Sequence, residues 1–158
     1  MKGLLWNVLL ALAWAAVNGQ FTLGSLLTGF ALGFAILLLL RRVVGAPDYA
    51  YKARQAFGLA GFFVWELFLS NLRVAYDVIT PNYRMRPGVV AIPLDVTTDA
   101  QITLLANLIT LTPGTLTLDV SDDRRTLYLH AMYIGGDVEA FRRGIKEGFE
   151  RRILEVLS

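Results

Sequence analysis

The feature that most constrains this sequence is a run of 38 residues, 3–40, without Asp, Glu, Lys or Arg. As one helix it would be about 57 Å long at ~1.5 Å per residue, nearly twice the ~30 Å hydrocarbon core of a bilayer. The run must therefore fold back, and Asn18-Gly19-Gln20 is the turn signal where it can do so. The sequence predicts a transmembrane helical hairpin over residues 1–42, with spans of about 2–17 and 21–40.

An alternative interpretation of residues 1–20 is a secretory signal peptide, since Lys2 precedes an apolar, Ala-rich segment. The second apolar span follows at once, which favours an uncleaved hairpin. Asn7 is a polar group within the first span and is expected to contact a partner helix in lipid. Small residues of the second span, such as Gly29 and Gly33, allow close helix contact.

The segment after the hairpin is predicted to be a loop over residues 43–56. Around it four basic residues outnumber one acid, Asp48; they are Arg41, Arg42, Lys52 and Arg54. By the positive-inside rule this loop is cytoplasmic. A two-span hairpin then places the N-terminus on the cytoplasmic side as well.

Residues 57–79 are apolar enough to suggest a membrane helix, yet they carry polar groups at helical spacing. The stripe consists of Glu66, Ser70, Arg73 and Asp77, separated by 4, 3 and 4 positions, and Asn71 is a further polar residue of this stretch. A spanning helix would bury these groups at ~2.5–3.5 kcal/mol per central charge, whereas an interfacial helix leaves its stripe wet. We predict an amphipathic interfacial helix, with a third membrane helix as the alternative. The candidate subunit-contact or membrane-polar residues are Asn7, Glu66, Asn71, Arg73 and Asp77.

Residues 84–158 have the charge density of a soluble domain and predict the order β-α-β-β-α. Pro93 removes a ladder donor and indicates an edge strand or a bulge, and Thr98 with Gln101 forms a capping-box pattern. Thr112-Pro113-Gly114 ends the first helix, and Asp137 caps a final helix to about Val156. This is an α+β, ferredoxin-like arrangement that lacks one strand.

Composition excludes several functions. The chain has no cysteine, which excludes disulfides and thiol ligands, and its single histidine, His130, cannot form a zinc site alone. Three acids near a predicted turn, Asp119, Asp122 and Asp123, are read as solvated turn residues. The net charge of +2 does not indicate the clustered basic surface with which proteins bind nucleic acids. We predict no catalytic, cofactor-binding or metal-binding residues, no cofactor and no nucleic-acid partner.

The stretch Ile102–Tyr133 carries a run centred on Leu111-Thr112-Pro113-Gly114-Thr115, followed by an acidic turn and a strand ending in His130. With Trp65-Glu66-Leu67 and the apolar N-terminus, it resembles the E subunit of the Mrp-type multisubunit cation/proton antiporters, and the resemblance covers essentially the whole chain. It implies a multi-pass protein of the bacterial cell membrane whose C-terminal domain is cytoplasmic.

The resemblance implies a complex that exchanges cytoplasmic Na⁺ or other monovalent cations for external H⁺. Large subunits similar to those of respiratory complex I carry the ions, and the E subunit is an accessory or assembly component, not an enzyme. Its partners are the other subunits and the lipid bilayer. A membrane-tethered sensing domain that regulates a transporter or channel remains the alternative.

Overall fold

A computed structural model describes residues 2–39, 49–80, 85–134 and 136–157. The chain forms two compact units, Met1–Arg54 and Gln55–Ser158. Parts of several predicted features lie outside the described residues. These are positions 40–48, which hold the end of the hairpin and the first part of the loop, Pro81 and Asn82 after the third helix, and residue 84, the first of the predicted domain.

The first unit is built on helices α1 (Lys2–Val17) and α2 (Leu23–Leu39), which pack against each other. Each helix contributes a buried stripe of every fourth residue: Asn7, Ala11 and Ala15 on α1, and Gly29, Gly33 and Leu37 on α2. A methyl group at Gly33 would collide with Asn7 Oδ1, and one at Gly29 would lie 2.9 Å from the Ala11 carbonyl oxygen. Small side chains thus let the two backbones approach closely.

Helix α3 (Tyr49–Ile79) has 31 residues and begins earlier than the sequence predicts. The predicted loop of residues 43–56 is wrong for residues 49–56, which are helical. This segment contains neither Gly nor Pro after Pro47, so nothing in it interrupts a helix. Among the described residues, α3 is the one helix long and apolar enough to cross a membrane by length and composition, while α1 and α2 are shorter apolar helices.

The second unit combines α3 with a small antiparallel sheet and further helices. Its strands are β1 (Gly88–Pro93), β2 (Thr115–Val120) and β3 (Thr126–Ala131), in the order β1-β3-β2. Helix α4 (Asp99–Leu111) connects β1 to β2. After β3 come α5 (Val138–Ile145), one π-helical turn (Lys146–Glu150) and α6 (Arg151–Leu157).

One face of the sheet and the helices over it enclose the core. Buried side chains alternate along β1 and β3, as the two-residue period of a strand requires. Helix α4 and the C-terminal helices supply further core side chains. The core members are Val90, Ile92, Leu105, Ile109, Leu127, Leu129, Phe149 and Ile153, with Leu59 from α3. The predicted capping box is confirmed, since Thr98 Oγ1 accepts from Gln101 N at 3.3 Å and Gln101 Oε1 accepts from Thr98 N at 3.2 Å.

Strand β1 lies at an edge of the sheet, as Pro93 predicts. Its outward carbonyl groups are covered by side chains of the C-terminal helices. Arg142 Nε donates to the Ala91 oxygen at 2.9 Å, and Lys146 Nζ donates to the Pro93 oxygen at 2.7 Å. These side chains occupy the edge that a further strand would need, so this edge is protected from strand addition.

The predicted final helix is not a regular α-helix. Arg151 N donates to the Lys146 oxygen, five residues back, which makes a π-helical turn. This turn buries Gly148, Phe149 and Glu150 in succession, whereas a surface α-helix would expose at least one of three neighbours. The charged Glu150, which the polar face of a regular surface helix would expose, is therefore buried here.

Candidate functional site

The polar stripe of α3 faces a cleft of about 210 Å³ inside the second unit. Glu66, Ser70 and Arg73 line one wall, and the Thr112-Pro113-Gly114 turn and α5 line the other. Ser70 is buried and Glu66 is half-buried. The stripe that the sequence predicts to be wet or to face other subunits thus lies against the chain's own α+β fold.

Aromatic contacts hold the middle of α3 to the π-helical turn. The rings of Phe62 and Phe149 meet edge to face, with centroids 5.1 Å apart and an interplanar angle of 71°. The Arg152 guanidinium carbon lies 3.9 Å from the centroid of the Phe62 ring. Such ring pairs and cation–π contacts each add about 0.5–1.5 kcal/mol beyond simple burial.

A second contact joins the C-terminal part of α3 to the residues after β3. The Arg73 guanidinium carbon lies 5.4 Å from the Tyr133 ring centroid, and Asp77 is buried beside the Tyr133 phenol. The nearby Asp77 carboxylate favours the protonated phenol and so raises the pKa of Tyr133, and burial acts in the same direction.

The Thr-Pro-Gly turn, the most recognisable motif of the sequence, packs under Tyr133. Gly114 has φ = +92°, a conformation that disfavours side chains, and a Cβ there would lie 3.0 Å from the Tyr133 ring. Thr115 Oγ1 donates to the Ile109 oxygen at 2.6 Å and secures the turn to the end of α4. The motif therefore forms one wall of the cleft and the surface against which the Tyr133 ring packs.

Glu150 is the most deeply buried charged group among the described residues, with an exposed fraction of 1%. Its Oε1 accepts hydrogen bonds from the backbone N–H groups of Asp95 (2.6 Å) and Val96 (3.0 Å), and its Oε2 lies 2.9 Å from Lys146 Nζ. This carboxylate fixes the connection between β1 and α4 to the π-helical turn that carries Phe149. Nothing in the helical periodicity of the sequence indicates this role.

Lys146 completes the network. Its ammonium group lies 2.9 Å from Asp95 Oδ2 and 2.9 Å from Glu150 Oε2. Burial disfavours the charged lysine, but hydrogen bonds to Asp95 and Glu150 and their negative charges outweigh it, so the pKa of Lys146 is raised.

The five residues singled out by the sequence fall in three places. Glu66 and the exposed Arg73 line the cleft, and Asp77 is buried near Tyr133 on the same side of α3. Asn71 is exposed on α3, and its Nδ2 donates to the Leu67 oxygen of the same helix at 2.8 Å. Asn7 belongs to the other unit, where it is buried in the α1–α2 contact against Gly33.

Asp123 of the β2–β3 turn has local hydrogen-bond partners. Asp123 Oδ1 accepts from Ser121 Oγ at 2.6 Å and from Arg125 N at 3.1 Å, and these hydrogen bonds lower the pKa of Asp123. Arg124 pairs with Asp99 of α4 at 2.6 Å. In the part of the chain that the structure describes, no group of three His, Cys, Asp or Glu residues could hold a metal ion.

The cleft is small for a ligand site. Pockets for small molecules usually enclose about 300–1,000 Å³, and this one has about 210 Å³. Its polar wall is made by a helix that is itself docked through Phe62 and Asp77. The arrangement acts as a junction between α3 and the α+β fold.

The chain is similar to known antiporter subunits along almost its whole length. A family model described as Na⁺/H⁺ ion antiporter subunit matches residues 7–156. The E subunit of the Na⁺/H⁺ antiporter of Bacillus subtilis is 40% identical over 153 residues, with 97% of this chain and 96% of that protein covered. The corresponding E subunit of Alkalihalophilus pseudofirmus is 38% identical with the same coverage.

Two solved membrane complexes contain chains of similar structure. One belongs to the Mrp complex of a Dietzia species, with a TM-score of 0.50 and 28% identity over 71% of this chain and 98% of that chain. The other belongs to the membrane-bound sulfane sulfur reductase, an archaeal respiratory complex, with a TM-score of 0.55 and 25% identity over 96% of both chains. The chain therefore belongs to the family of Na⁺/H⁺ antiporter E subunits.

Proposed function

We propose that this chain is an accessory subunit of a multisubunit antiporter that exchanges cytoplasmic Na⁺ for external H⁺. The observation that carries this proposal is the packing of α1 against α2. These helices have no Asp, Glu, Lys or Arg from residue 3 to residue 39, and Asn7 and Ala11 fill their contact against Gly33 and Gly29. Ion pathways in membranes need ionisable or coordinating groups, so other subunits carry the ions.

The proposed membrane arrangement is a hairpin of α1 and α2. Helix α1 has 16 residues, one fewer than the lower limit of the ~17–25 residues that span a bilayer, and α2 with 17 residues is at that limit. The basic residues around 41–54 support a cytoplasmic location for the connection to α3. The N-terminus and the α+β fold then share the cytoplasmic side.

The proposed fold of the cytoplasmic part is ferredoxin-like without its fourth strand. Support comes from the antiparallel order β1-β3-β2, in which α4 connects the two outer strands. Arg142 and Lys146 occupy the edge of β1 where the missing strand would pair. This part has a structural role, without a catalytic motif.

The test is complementation of a strain that lacks this subunit, with two readouts. Na⁺/H⁺ antiport is measured in everted vesicles, and assembly is measured as the amount of intact complex on native gels. Glu66→Gln is expected to retain antiport in the assembled complex, with Glu147→Gln at an exposed site as the matched control. Loss of antiport by Glu66→Gln in a normally assembled complex would place the chain in the ion pathway and overturn the proposal.

Topology has a separate test, because the chain contains no cysteine. Single cysteines at Gln20, Lys52 and Asn82 are treated with an impermeant thiol reagent in intact cells and in everted vesicles. We expect Lys52 and Asn82 to react only from the cytoplasmic side and Gln20 only from outside. Reaction of Lys52 and Asn82 from opposite sides would show that α3 spans the membrane.

A further inference from the structure

The side of α3 that faces away from the α+β fold is largely apolar, and its polar residue Asn71 donates its Nδ2 hydrogen to the Leu67 oxygen of the same helix. At helical spacing it carries Phe57, Trp65, Phe68, Leu72 and Ile79, all more than half exposed. We call these residues and those between them on the same face the outward stripe. From residue 55 to residue 79 the outward stripe contains no Asp, Glu, Lys or Arg.

The opposite side of α3 contacts the α+β fold at several positions, although Arg73 on this side is exposed. Contacts begin at the buried Leu59, continue through Phe62, Glu66 and Ser70, and end at the buried Asp77. At ~1.5 Å per residue the helix from Leu59 to Asp77 rises about 27 Å, nearly the full thickness of a hydrocarbon core.

These contacts with the α+β fold argue against α3 as a transmembrane span. If α3 crossed the bilayer, the α+β fold that covers it would enter the hydrocarbon, at ~2.5–3.5 kcal/mol for each central charge. The charges of the C-terminal helices include Arg142, Arg143, Lys146, Arg151 and Arg152. The part of α3 without any Asp, Glu, Lys or Arg, residues 55–65, covers only about 16 Å.

We propose that the outward stripe rests on the lipid surface, with the axis of α3 parallel to the membrane plane. An amphipathic helix in this position buries its apolar face ~5–10 Å deep, at the boundary of headgroups and acyl chains. Trp65 and Tyr76, both exposed on this side of α3, are residue types enriched at that boundary. The proposal rests on the membrane hairpin of the proposed function, since only nine residues separate α2 from α3 in the sequence.

The experiment measures the depth of single labelled positions in the full chain, within the assembled complex in lipid nanodiscs. Nitroxide labels are placed at Gly61→Cys, Phe68→Cys, Leu72→Cys and Ile79→Cys, which lie on one face and extend over about 27 Å of helix. Accessibility to oxygen and to a water-soluble nickel chelate gives the depth of each. Ser70→Cys on the covered side and Arg143→Cys on the exposed side of α5 are the matched controls.

We expect the four outward labels to report one common depth within ~10 Å of the headgroups, with high oxygen and low nickel accessibility. Depths that pass through the bilayer centre would show a spanning helix and overturn the proposal. Labels shielded from both reagents would show that a neighbouring subunit covers the stripe, which also overturns it. Antiport is measured for each variant, so a failed depth test with normal antiport contradicts the lipid contact and leaves the accessory function standing.

Discussion

Phe62 of α3 and Phe149 of the π-helical turn meet edge to face with ring centroids 5.1 Å apart. This pair is the central contact between the long helix and the α+β fold. We expect Phe62→Ala to lower the free energy of unfolding by about 3 kcal/mol, because a half-buried ring is lost and a cavity remains. Thermal unfolding of the detergent-solubilised full chain, followed by circular dichroism, measures the change.

The matched control is Phe68→Ala on the outward stripe, whose side chain is exposed. Its expected effect in detergent is within about 0.5 kcal/mol. Equal losses for the two variants would contradict the docking of α3 through Phe62.

Glu150 gives the second prediction. Glu150→Ala removes the acceptor for the N–H groups of Asp95 and Val96 and the partner of Lys146. Loss of the acceptor leaves two backbone N–H groups without a partner, at about 1–3 kcal/mol each, so a large fall in melting temperature is expected. Glu147→Ala, an exposed site three residues earlier, should change the melting temperature little; an unchanged Glu150→Ala protein would refute the role of the buried carboxylate.

Lys146 makes the stability dependent on alkaline pH. Its pKa in the folded chain is raised above the unfolded value of about 10.4. The stabilisation is therefore fully present below about pH 10.4 and is lost as the pH rises through the folded pKa.

The measurement compares the melting temperatures of wild type and Lys146→Met from about pH 7 to pH 11.5. We expect a constant difference between about pH 7 and pH 10, which then shrinks at higher pH. The Lys146→Arg variant should melt at a higher temperature than Lys146→Met by the same amount at every pH, because its guanidinium stays charged. A melting-temperature difference between wild type and Lys146→Met that shrinks already between about pH 7 and pH 9 would contradict the raised pKa of Lys146.

The contact of Asn7 with Gly33 gives a prediction for the hairpin. Gly33→Ala places a methyl group into Asn7 Oδ1, and such overpacking typically costs about 1–3 kcal/mol. We expect less assembled complex on native gels and correspondingly less antiport in vesicles. Gly24→Ala is the control, since a Cβ there has its nearest neighbour, Thr22 Oγ1, 4.0 Å away.

The second-site variant Asn7→Ala is expected to recover part of the assembly lost by Gly33→Ala, because it removes the colliding oxygen. A Gly33→Ala complex that assembles normally, or a loss that Asn7→Ala leaves unchanged, would show that this contact does not limit assembly.

Local signals account for much of the α+β fold. The capping box at Thr98, the stop at Thr112-Pro113-Gly114 and the cap at Asp137 all lie where hydrogen bonds between near neighbours place them. Pro93 correctly predicts an edge strand, because a missing N–H is tolerated only where no partner strand needs it. Each of these features depends on residues within a few positions of one another.

The direction of the α3 stripe could not be predicted in this way. Helical periodicity shows that Glu66, Ser70 and Asp77 share one face of α3. Because burial of polar groups in lipid is costly, the sequence predicts that this face is exposed to solvent. The structure covers that face with Phe149, Tyr133 and the Thr-Pro-Gly turn. A helical pattern identifies a face but contains no information about what packs on it.

The sequence by itself determined the two apolar N-terminal helices, the order of strands and helices, and the family, because these follow from composition, short-range hydrogen bonding and motif. Only the tertiary structure decided that α3 begins at Tyr49, that its polar stripe faces inward, and that Glu150 is buried by a π-helical turn. The physical reason is that each of these depends on contacts between residues far apart in the chain. Glu150 binds backbone groups 54 and 55 positions away, and no local pattern encodes such a partner.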